Sequence, residues 1–192
     1  MFQIRIHGRG GQGVVTAAEM LALAGFMEGH HAQAFPSFGS ERTGAPVTAF
    51  ARLAPNEIRL REPVLEPDVV LVQDRTLLDS VNVFAGLRPE GYVLINSSRR
   101  AEELGLGDLI AKLPAGHVLT VPATRFAMEK IGRPLPGAAM LAGMAAMTGT
   151  MKLESVQAAY NEKFKGAVAA ANAEVASMAF EAVKRALGGE HA

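Results

Sequence analysis

The chain contains no cysteine. That absence excludes disulfide bonds, thiolate zinc sites, cysteine nucleophiles and ordinary iron–sulfur ligation from this chain. If electrons pass through an assembly that contains this chain, a partner must carry them.

Net charge is also absent, because 19 Lys and Arg residues balance 19 Asp and Glu residues. A neutral chain lacks the positive field that non-specific binding to nucleic acid or to an anionic membrane requires, so we expect neither partner. The most apolar early segment, residues 14–27, is shorter than the roughly 20 residues of a membrane-spanning helix. No basic leader followed by an apolar stretch opens the sequence, and together these features predict a cytoplasmic protein.

Strand and helix patterns alternate along the first two thirds of the chain. Residues 2–7 alternate apolar and polar side chains, which predicts a strand with one wetter face. Further strands are expected at 47–53, 67–74, 92–96 and 117–121, and helices at 14–27, 75–85, 102–113, 123–131, 137–147, 153–164 and 166–187. Strands that alternate with helices indicate a parallel sheet with right-handed crossovers. The predicted fold is a single domain over residues 1–192, α/β and Rossmann-like, with three layers, a mostly parallel sheet, helices on both faces and a helical C-terminal third.

Two predicted helices have unusual apolar surfaces. Residues 14–27 are apolar nearly all round, so this helix should be covered on more than one side, and a homodimer could supply one cover. Met140, Met144, Met147 and Met151 form one stripe at helical spacing. Core packing is the favoured interpretation of that stripe, with a partner interface as the alternative.

A glycine-rich motif, GRGGQG at residues 8–13, lies between the first predicted strand and the first predicted helix. In that position glycines let the backbone approach a phosphate at a helix N-terminus, so Gly8, Gly10, Gly11, Gln12 and Gly13 are the candidate cofactor-binding residues. A nicotinamide dinucleotide is disfavoured because residues 29–36 contain no carboxylate for the ribose hydroxyls. A tight turn with close packing of strand and helix remains the alternative.

Residues 35–46 form a predicted loop that is longer than usual and contains aromatic, hydroxyl and charged side chains. Phe35, Phe38, Glu41 and Arg42 are the candidate interface residues, because aromatic residues and arginine are enriched at interface hot spots. A mobile surface loop is the alternative, but the prolines and phenylalanines make it stiff and apolar for a freely solvated tip.

No self-sufficient catalytic set or metal site is visible in the sequence. His30 and His31 are adjacent, and neighbours in an extended segment point to opposite faces, so they cannot readily share a metal. No H-x-x-x-H spacing and no G-x-S-x-G nucleophile motif is present. We therefore expect neither a catalytic residue nor a bound metal in this chain.

Four stretches in order carry a family resemblance: IHGRGGQG at 6–13, AFPSFGSERTGAPV at 34–47, IRLREPV at 58–64 and PDVVLVQDRTLL at 67–78. In sequence and spacing they resemble the gamma subunit of 2-oxoacid:ferredoxin oxidoreductases, and most closely the pyruvate type. The length of the chain fits the whole of that subunit.

The resemblance implies an accessory subunit of a multi-subunit enzyme that converts a 2-oxoacid to an acyl-CoA and carbon dioxide while it reduces ferredoxin. It implies that alpha, beta and ferredoxin-like delta subunits are the partners, and that thiamine diphosphate and iron–sulfur clusters lie in those chains. Pyruvate is the favoured 2-oxoacid. Coenzyme A is the implied source of a phosphate at residues 8–13, if this chain contributes to that site.

Two other functions stay open at this stage. One is a free-standing α/β protein that binds a nucleotide or other phosphate at residues 8–13. The other is a purely structural spacer within the complex.

Overall fold

Six strands and the helices between them extend from Phe2 to Val121, and four helices follow. The computed structural model describes residues 1–37 and 43–189. The strands are β1 (Phe2–Arg9), β2 (His31–Pro36), β3 (Pro46–Ala54), β4 (Val69–Val72), β5 (Tyr92–Asn96) and β6 (Val118–Val121). The α-helices are α1 (Val14–Met27), α2 (Gly107–Lys112), α3 (Ala123–Lys130), α4 (Gly137–Thr148), α5 (Leu153–Lys163) and α6 (Gly166–Leu187), and two 3-10 helices occupy Arg75–Asp79 and Glu102–Leu104.

The strands form one sheet in the order β2-β3-β1-β4-β5-β6. β1 is antiparallel to β3 and parallel to β4, so Ile4 lies between Ala51 and Val69. The pairs β4–β5 and β5–β6 are parallel, whereas β2–β3 is antiparallel. The mostly parallel α/β sheet predicted from the sequence is confirmed, with an antiparallel extension on one side.

Alternate residues of the central strands supply two apolar clusters, one on each face of the sheet. Leu71 and Leu94 pack with α1, α4 and α6 on one face. Val70 and Ile95 pack on the other face with Leu77 and with apolar side chains of α2 and the 3-10 helices. The three predicted layers are present, but the second helical layer is thin.

α4 lies at the centre of the thicker helical layer, and residues 137–146 are all buried. A Cβ added to Gly143 would lie 2.7 Å from Leu94 Cδ2 in the sheet and 3.3 Å from Val183 Cγ2 in α6. The helix is therefore enclosed between the sheet and α6. Met140 and Met144 are fully buried, which confirms core packing as the role of the methionine stripe.

The predicted two-sided burial of α1 is confirmed, but the chain itself supplies both covers. α1 packs against β2 and β3 and also against α4 and α5. Phe26 and Met27, at its C-terminal end, stay 67% and 43% exposed. Enclosure of α1 therefore does not need a second copy of the chain.

The expectation that β1 has one wetter face is wrong. Arg5 and His7 point to that face and are buried, at 7% and 6% exposure. The Arg5 guanidinium donates hydrogen bonds to the carbonyl oxygens of Val64, Val83 and Ala85. The polar strand face is therefore covered by irregular chain whose carbonyl groups satisfy the arginine.

Two of the predicted helices are wrong in extent. Residues 75–85 form only the 3-10 helix Arg75–Asp79, and beyond it the carbonyls of Val83 and Ala85 accept from Arg5 instead of from helical N–H groups. Residues 102–113 form a 3-10 turn and the short α2. Gly105, at φ 75°, ends the first piece in a left-handed conformation that interrupts a continuous helix.

The predicted loop at residues 35–46 is shorter than expected, because β2 extends to Pro36 and β3 begins at Pro46. β2 was not predicted, since HAQAFP has no β-branched residue and its first two apolar residues are alanines. Pairing with β3 makes it a strand, with Phe35 opposite Phe50. Tertiary pairing here overrides a weak local signal.

The C-terminal helical third is confirmed. Helices α3 to α6 begin at the predicted residues 123, 137, 153 and 166 and end within one residue of the prediction. Within the two described stretches of chain, no helix is both long enough and apolar enough to cross a membrane.

Candidate functional site

The candidate site lies at the edge of the sheet where the parallel strands end. After β1 the chain passes into α1, which covers β2 and β3, whereas after β4 it continues towards β5 on the other side. The crevice between the ends of β1 and β4 is therefore a topological switch point, the position at which open α/β sheets bind ligands. Residues 8–13 occupy this crevice.

The glycines of residues 8–13 have three different structural roles. Gly8 permits close packing, because an added Cβ would lie 2.5 Å from Val14 Cγ2 and 3.2 Å from Gln73 Cβ. Gly10 binds the neighbouring segment: its N–H donates to the Ala45 carbonyl and its own carbonyl accepts from Gly44. Gly11 and Gly13 have φ values of 93° and 70°, which favour glycine.

Some backbone N–H groups of residues 8–13 form hydrogen bonds within this loop. The N–H of Gln12 donates to the Arg9 carbonyl, and the N–H of Arg9 donates to Gln12 Oε1. Among the described residues, however, no acceptor binds the N–H of Gly11, Gly13, Val14 or Val15. The close packing at Gly8 is therefore present, and the four unbonded N–H groups are available to an anion.

The N-terminus of α1 lacks the usual capping groups. Gly13 is the N-cap residue, no side chain caps the helix, and the first turn contains no acidic residue. The first N–H groups and the positive end of the helix dipole favour an anion at this position. A phosphate or carboxylate is the group that this end of the helix would bind.

Gln12 and Arg9 connect the glycine loop to the end of β4. Gln12 Nε2 donates a 2.8 Å hydrogen bond to Asp74 Oδ2, and Arg9 Nε lies 3.5 Å from the same oxygen. Asp74 also accepts from the backbone and hydroxyl of Thr76. Burial opposes ionisation, but the hydrogen bonds from Thr76 and Gln12 and the charge of Arg9 outweigh it and lower the pKa of Asp74.

A cavity of about 370 Å³ opens next to this cluster. It is lined by residues that follow the ends of β4, β5 and β6, together with Gln12 and Pro134. The lining residues are Gln12, Gln73, Asp74, Arg75, Thr76, Asn96, Ser97, Ser98, Pro122, Thr124, Arg125 and Pro134. Most of them are polar, so the cavity suits a polar ligand rather than an apolar one.

Asn96 is the fully bonded amide of this cavity. Its Nδ2 donates to the Gln73 carbonyl at 2.8 Å and to Thr124 Oγ1 at 2.7 Å, and its Oδ1 accepts from the Thr124 N–H. It thereby holds the end of β5 against β4 and the start of α3. Its role is to position the walls of the cavity.

Gln73 is the opposite case. It is 1% exposed, yet neither Oε1 nor Nε2 has a hydrogen-bond partner among the described residues. A buried unpartnered amide costs roughly 1 to 3 kcal/mol, so such groups in native proteins call for an explanation. Gln73 lies at the wall of the cavity, but both amide atoms are closed off from it, so a ligand would reach them only after neighbouring side chains move.

The structure separates the two groups of sequence-predicted site residues. Residues 8–13 lie together beside the cavity, and Gln12 is the one of them that lines it. Phe35 lies on β2, half-buried, with its ring centroid 5.2 Å from that of Phe50 and 5.3 Å from the Arg52 guanidinium carbon. Phe38, Glu41 and Arg42 lie outside the described residues.

Sequence reasoning missed Gln73, Asn96 and Thr124. A signal was available for Gln73 and Asn96, because each is a polar residue at the end of a buried apolar strand. Parallel strands bring such residues to one edge of the sheet. Thr124 carried no comparable signal.

The described residues contain no group of three His, Asp or Glu side chains that could hold a metal ion. Asp74 is the only carboxylate among the described residues that line the cavity, and its oxygens accept from Gln12 and Thr76. The polar lining of the cavity and the uncapped start of α1 suit the binding and orientation of a polar or anionic molecule.

The comparisons with known proteins agree with one another. The family model described as pyruvate ferredoxin/flavodoxin oxidoreductase matches residues 3–182. The pyruvate/ketoisovalerate oxidoreductases common subunit gamma of Thermococcus kodakarensis is 49% identical over 94% of this chain and 96% of its own length. The pyruvate synthase subunit PorC of Methanocaldococcus jannaschii is 44% identical over 98% and 100%. The crystal structure of pyruvate oxidoreductase subunit PORC from Thermotoga maritima matches with a TM-score of 0.78 and 36% identity, over 94% of this chain and 95% of that one.

Proposed function

This chain belongs to the pyruvate ferredoxin/flavodoxin oxidoreductase family, and we propose that it is the gamma subunit of a multi-subunit enzyme that oxidises a 2-oxoacid, pyruvate being the favoured one. The enzyme would convert the 2-oxoacid and coenzyme A to an acyl-CoA and carbon dioxide, with two electrons passed to ferredoxin. Within it, this chain is an accessory subunit. A cytoplasmic location is part of the same proposal.

The observation that carries the proposal is identity along the whole chain. The Thermococcus relative is 49% identical over almost the full length of both proteins, so the likeness is not confined to a nucleotide-binding motif. That relative's name describes a subunit common to pyruvate and ketoisovalerate oxidoreductases. We infer that the choice of 2-oxoacid is made by other subunits.

The remaining cofactors would belong to those other subunits. The chain has no cysteine, so it does not fit an iron–sulfur cluster. We place the clusters and thiamine diphosphate in alpha, beta and ferredoxin-like delta subunits. The contribution of this chain is then to bind and orient, not to transfer electrons.

Residues 8–13 are proposed to bind a phosphate group of coenzyme A. Support comes from the unbonded N–H groups of Gly11 and Gly13, from the uncapped start of α1, and from the adjoining cavity. Gln12 would hold the loop in register through Asp74. A bound coenzyme A would supply the thiol that accepts the acyl group.

The segment of residues 35–46 is proposed to contact another subunit. Phe35 packs on Phe50 and leaves part of its ring exposed, so it can support a contact from outside. Phe38, Glu41 and Arg42 are proposed as the contact residues beyond it. Phe26 and Met27, the large apolar residues of α1 that remain exposed, are available to a homodimer.

The subunit assignment is tested by expressing this chain alone and together with candidate alpha, beta and delta chains. The isolated chain should contain no stoichiometric iron and show no pyruvate-dependent dye reduction, whereas the co-expressed chains should purify together as an active enzyme. Turnover or stoichiometric iron in the isolated chain would contradict the assignment.

Docking is tested with Phe38→Ala and Arg42→Ala, each in the assembled enzyme. Both changes should weaken co-purification or lower turnover while the isolated chain keeps its melting temperature. Wild-type assembly and turnover in both variants would contradict a docking role for this segment.

Ligand binding distinguishes this function from the two alternatives. A free-standing phosphate-binding protein would be stabilised by coenzyme A, ADP or inorganic phosphate and would join no complex. A purely structural spacer would show an unchanged KM for coenzyme A after Gly13→Ala, once thermal melting has shown that the variant is folded. The proposed role predicts both complex formation and a raised KM.

A further inference from the structure

A second cavity, of about 320 Å³, runs along the outer edge of β6. One wall is formed by Arg100, Ala101 and Glu102, and the other by side chains of α3 and α6. The floor is the strand itself, with Val118, Leu119 and Thr120 all lining it. The cavity is therefore a groove whose length follows an edge strand.

The strand in this groove has free hydrogen-bonding groups. β6 is the last strand of the sheet, and among the described residues it pairs only with β5. The carbonyls of His117 and Val121 accept from β5 and the residue after it, so the odd-numbered residues face β5. Alternate residues face alternate sides of a parallel ladder, so the N–H and C=O groups of Val118 and Thr120 point into the groove.

The groove is also positively charged. Arg125 and Arg185 line it, and within the described chain neither lies within salt-bridge distance of a carboxylate. Glu102, the carboxylate of the lining, lies 3.6 Å from Arg100. The helix dipole favours a positive charge at Arg185, near the end of α6, but disfavours one at Arg125, in the first turn of α3. Helix dipoles therefore do not explain why both positions carry arginine.

We propose that an extended acidic segment of another subunit docks in this groove and adds a seventh strand next to β6. The proposal rests on the proposed function, which supplies the other subunits. Main-chain hydrogen bonds to Val118 and Thr120 would provide affinity, and the arginines would select the segment by charge. A strand edge with its main-chain groups exposed matches a peptide backbone better than it matches a compact small molecule.

The geometry also sets the spacing of the acidic residues. Side chains of a strand alternate between the two faces of a sheet. Every second side chain of the docked strand would point towards α3 and α6, where Arg125 and Arg185 lie. We therefore expect Asp or Glu at alternate positions of the docked segment.

The first experiment uses the purified complex and the isolated chain, compared by hydrogen–deuterium exchange at single-residue resolution. The amides of Val118 and Thr120 should exchange at least tenfold more slowly in the complex. A photo-crosslinking residue in place of Ala186, which lines the groove, should capture a segment with alternate acidic residues. Equal exchange in the two samples, or capture of a second copy of this chain, would overturn the proposal.

The second experiment separates charge from backbone pairing. Arg185→Glu should weaken binding to the other subunits by about tenfold, the change expected for roughly 1.4 kcal/mol. Replacing the acidic residues of the captured segment with lysine should restore binding to the Arg185→Glu variant. Thr120→Pro removes the N–H that points into the groove, so it should weaken binding to the other subunits. Thr120→Val keeps that N–H and should not weaken binding. Arg59→Glu, 87% exposed and outside the groove, is the matched charge control.

The outcomes distinguish this inference from the proposed function. If the wild-type chain forms no complex, the proposed function fails. If the wild-type complex forms and Arg185→Glu assembles as well as Arg59→Glu does, the inference of a docked strand is refuted. The proposed function is then unaffected. Loss of coenzyme A binding in Arg185→Glu with assembly intact would also refute it, because the groove would then belong to a small ligand.

Discussion

Arg5 Nε donates a 3.0 Å hydrogen bond to His7 Nε2, two residues along the same buried strand face. A nitrogen that accepts carries no proton, so the imidazole is neutral with its proton on Nδ1, where it meets Thr48 Oγ1 at 3.3 Å. Burial and the charge of Arg5 lower the pKa of His7 to about 4. The pair is stable only while His7 stays neutral.

The first prediction is a loss of stability in mild acid. The folded pKa of His7 is below its unfolded value, so the unfolded chain binds the proton more tightly and the free energy of unfolding falls as pH drops from about 6.5 to about 4. Between pH 7.5 and 4.5 the loss from this residue should be about 2 to 3 kcal/mol. Urea unfolding at both values, for the wild type and His7→Gln, measures it. His7→Gln should flatten the dependence, whereas His31→Gln at the exposed start of β2 should retain it.

The second prediction concerns Arg5 itself. Arg5→Met leaves the carbonyls of Val64, Val83 and Ala85 without their donor, so it should lower the free energy of unfolding by about 2 to 4 kcal/mol. Hydrogen exchange of residues 80–86 should accelerate in the same variant. Arg59→Met, at an exposed site, should change stability by less than about 0.5 kcal/mol. Equal effects of the two variants would show that the buried arginine is not an anchor.

The third prediction compares two glutamines. Gln73→Met removes a buried amide that has no protein partner, so the isolated chain should be unchanged or more stable by about 1 kcal/mol. Gln157→Met removes an amide that donates to Ala173 O and Ser177 Oγ, and should destabilise by about 1 kcal/mol. Urea unfolding of the two variants and of the wild type measures the difference. Marked destabilisation by Gln73→Met would mean that water satisfies the amide in the free chain.

The fourth prediction concerns Gly8. A Cβ there would lie 2.5 Å from Val14 Cγ2, so Gly8→Ala should destabilise by about 1 to 3 kcal/mol. Adding Val14→Ala removes the clashing methyl, and the double variant should lose less than the sum of the two single losses. Thermal or urea unfolding of the three variants gives the coupling energy. Additive losses would argue against close packing as the reason for this glycine.

Sequence reasoning succeeded where local and tertiary signals agree. The four C-terminal helices were predicted to within a residue because long helix-forming stretches end at proline and glycine. The strands at residues 69–72 and 92–96 were found because a buried parallel strand is a continuous apolar run. The glycine loop was found because its motif lies between a strand and a helix.

It failed where a distant partner decides the structure. β2 is a strand because β3 pairs with it, and within residues 80–85 the carbonyls of Val83 and Ala85 accept from the distant Arg5. Alternation marked Arg5 as exposed, although the irregular chain that covers it has no local signature. Gln73 is the same case at the site, since its missing partners are visible only in three dimensions.

The ribosome synthesises α6 after α4, the buried helix that α6 covers. α4 needs α6 as its outer cover, and α6 occupies almost the last stretch of the chain. At about 5 to 20 residues per second, roughly 8 to 30 seconds separate β1 from α6 on the ribosome. Only the last few seconds of that interval, from the completion of α4 until α6 follows it, leave a finished α4 without its outer layer. This is the period in which chaperones and newly made partner subunits have the largest apolar surface to bind.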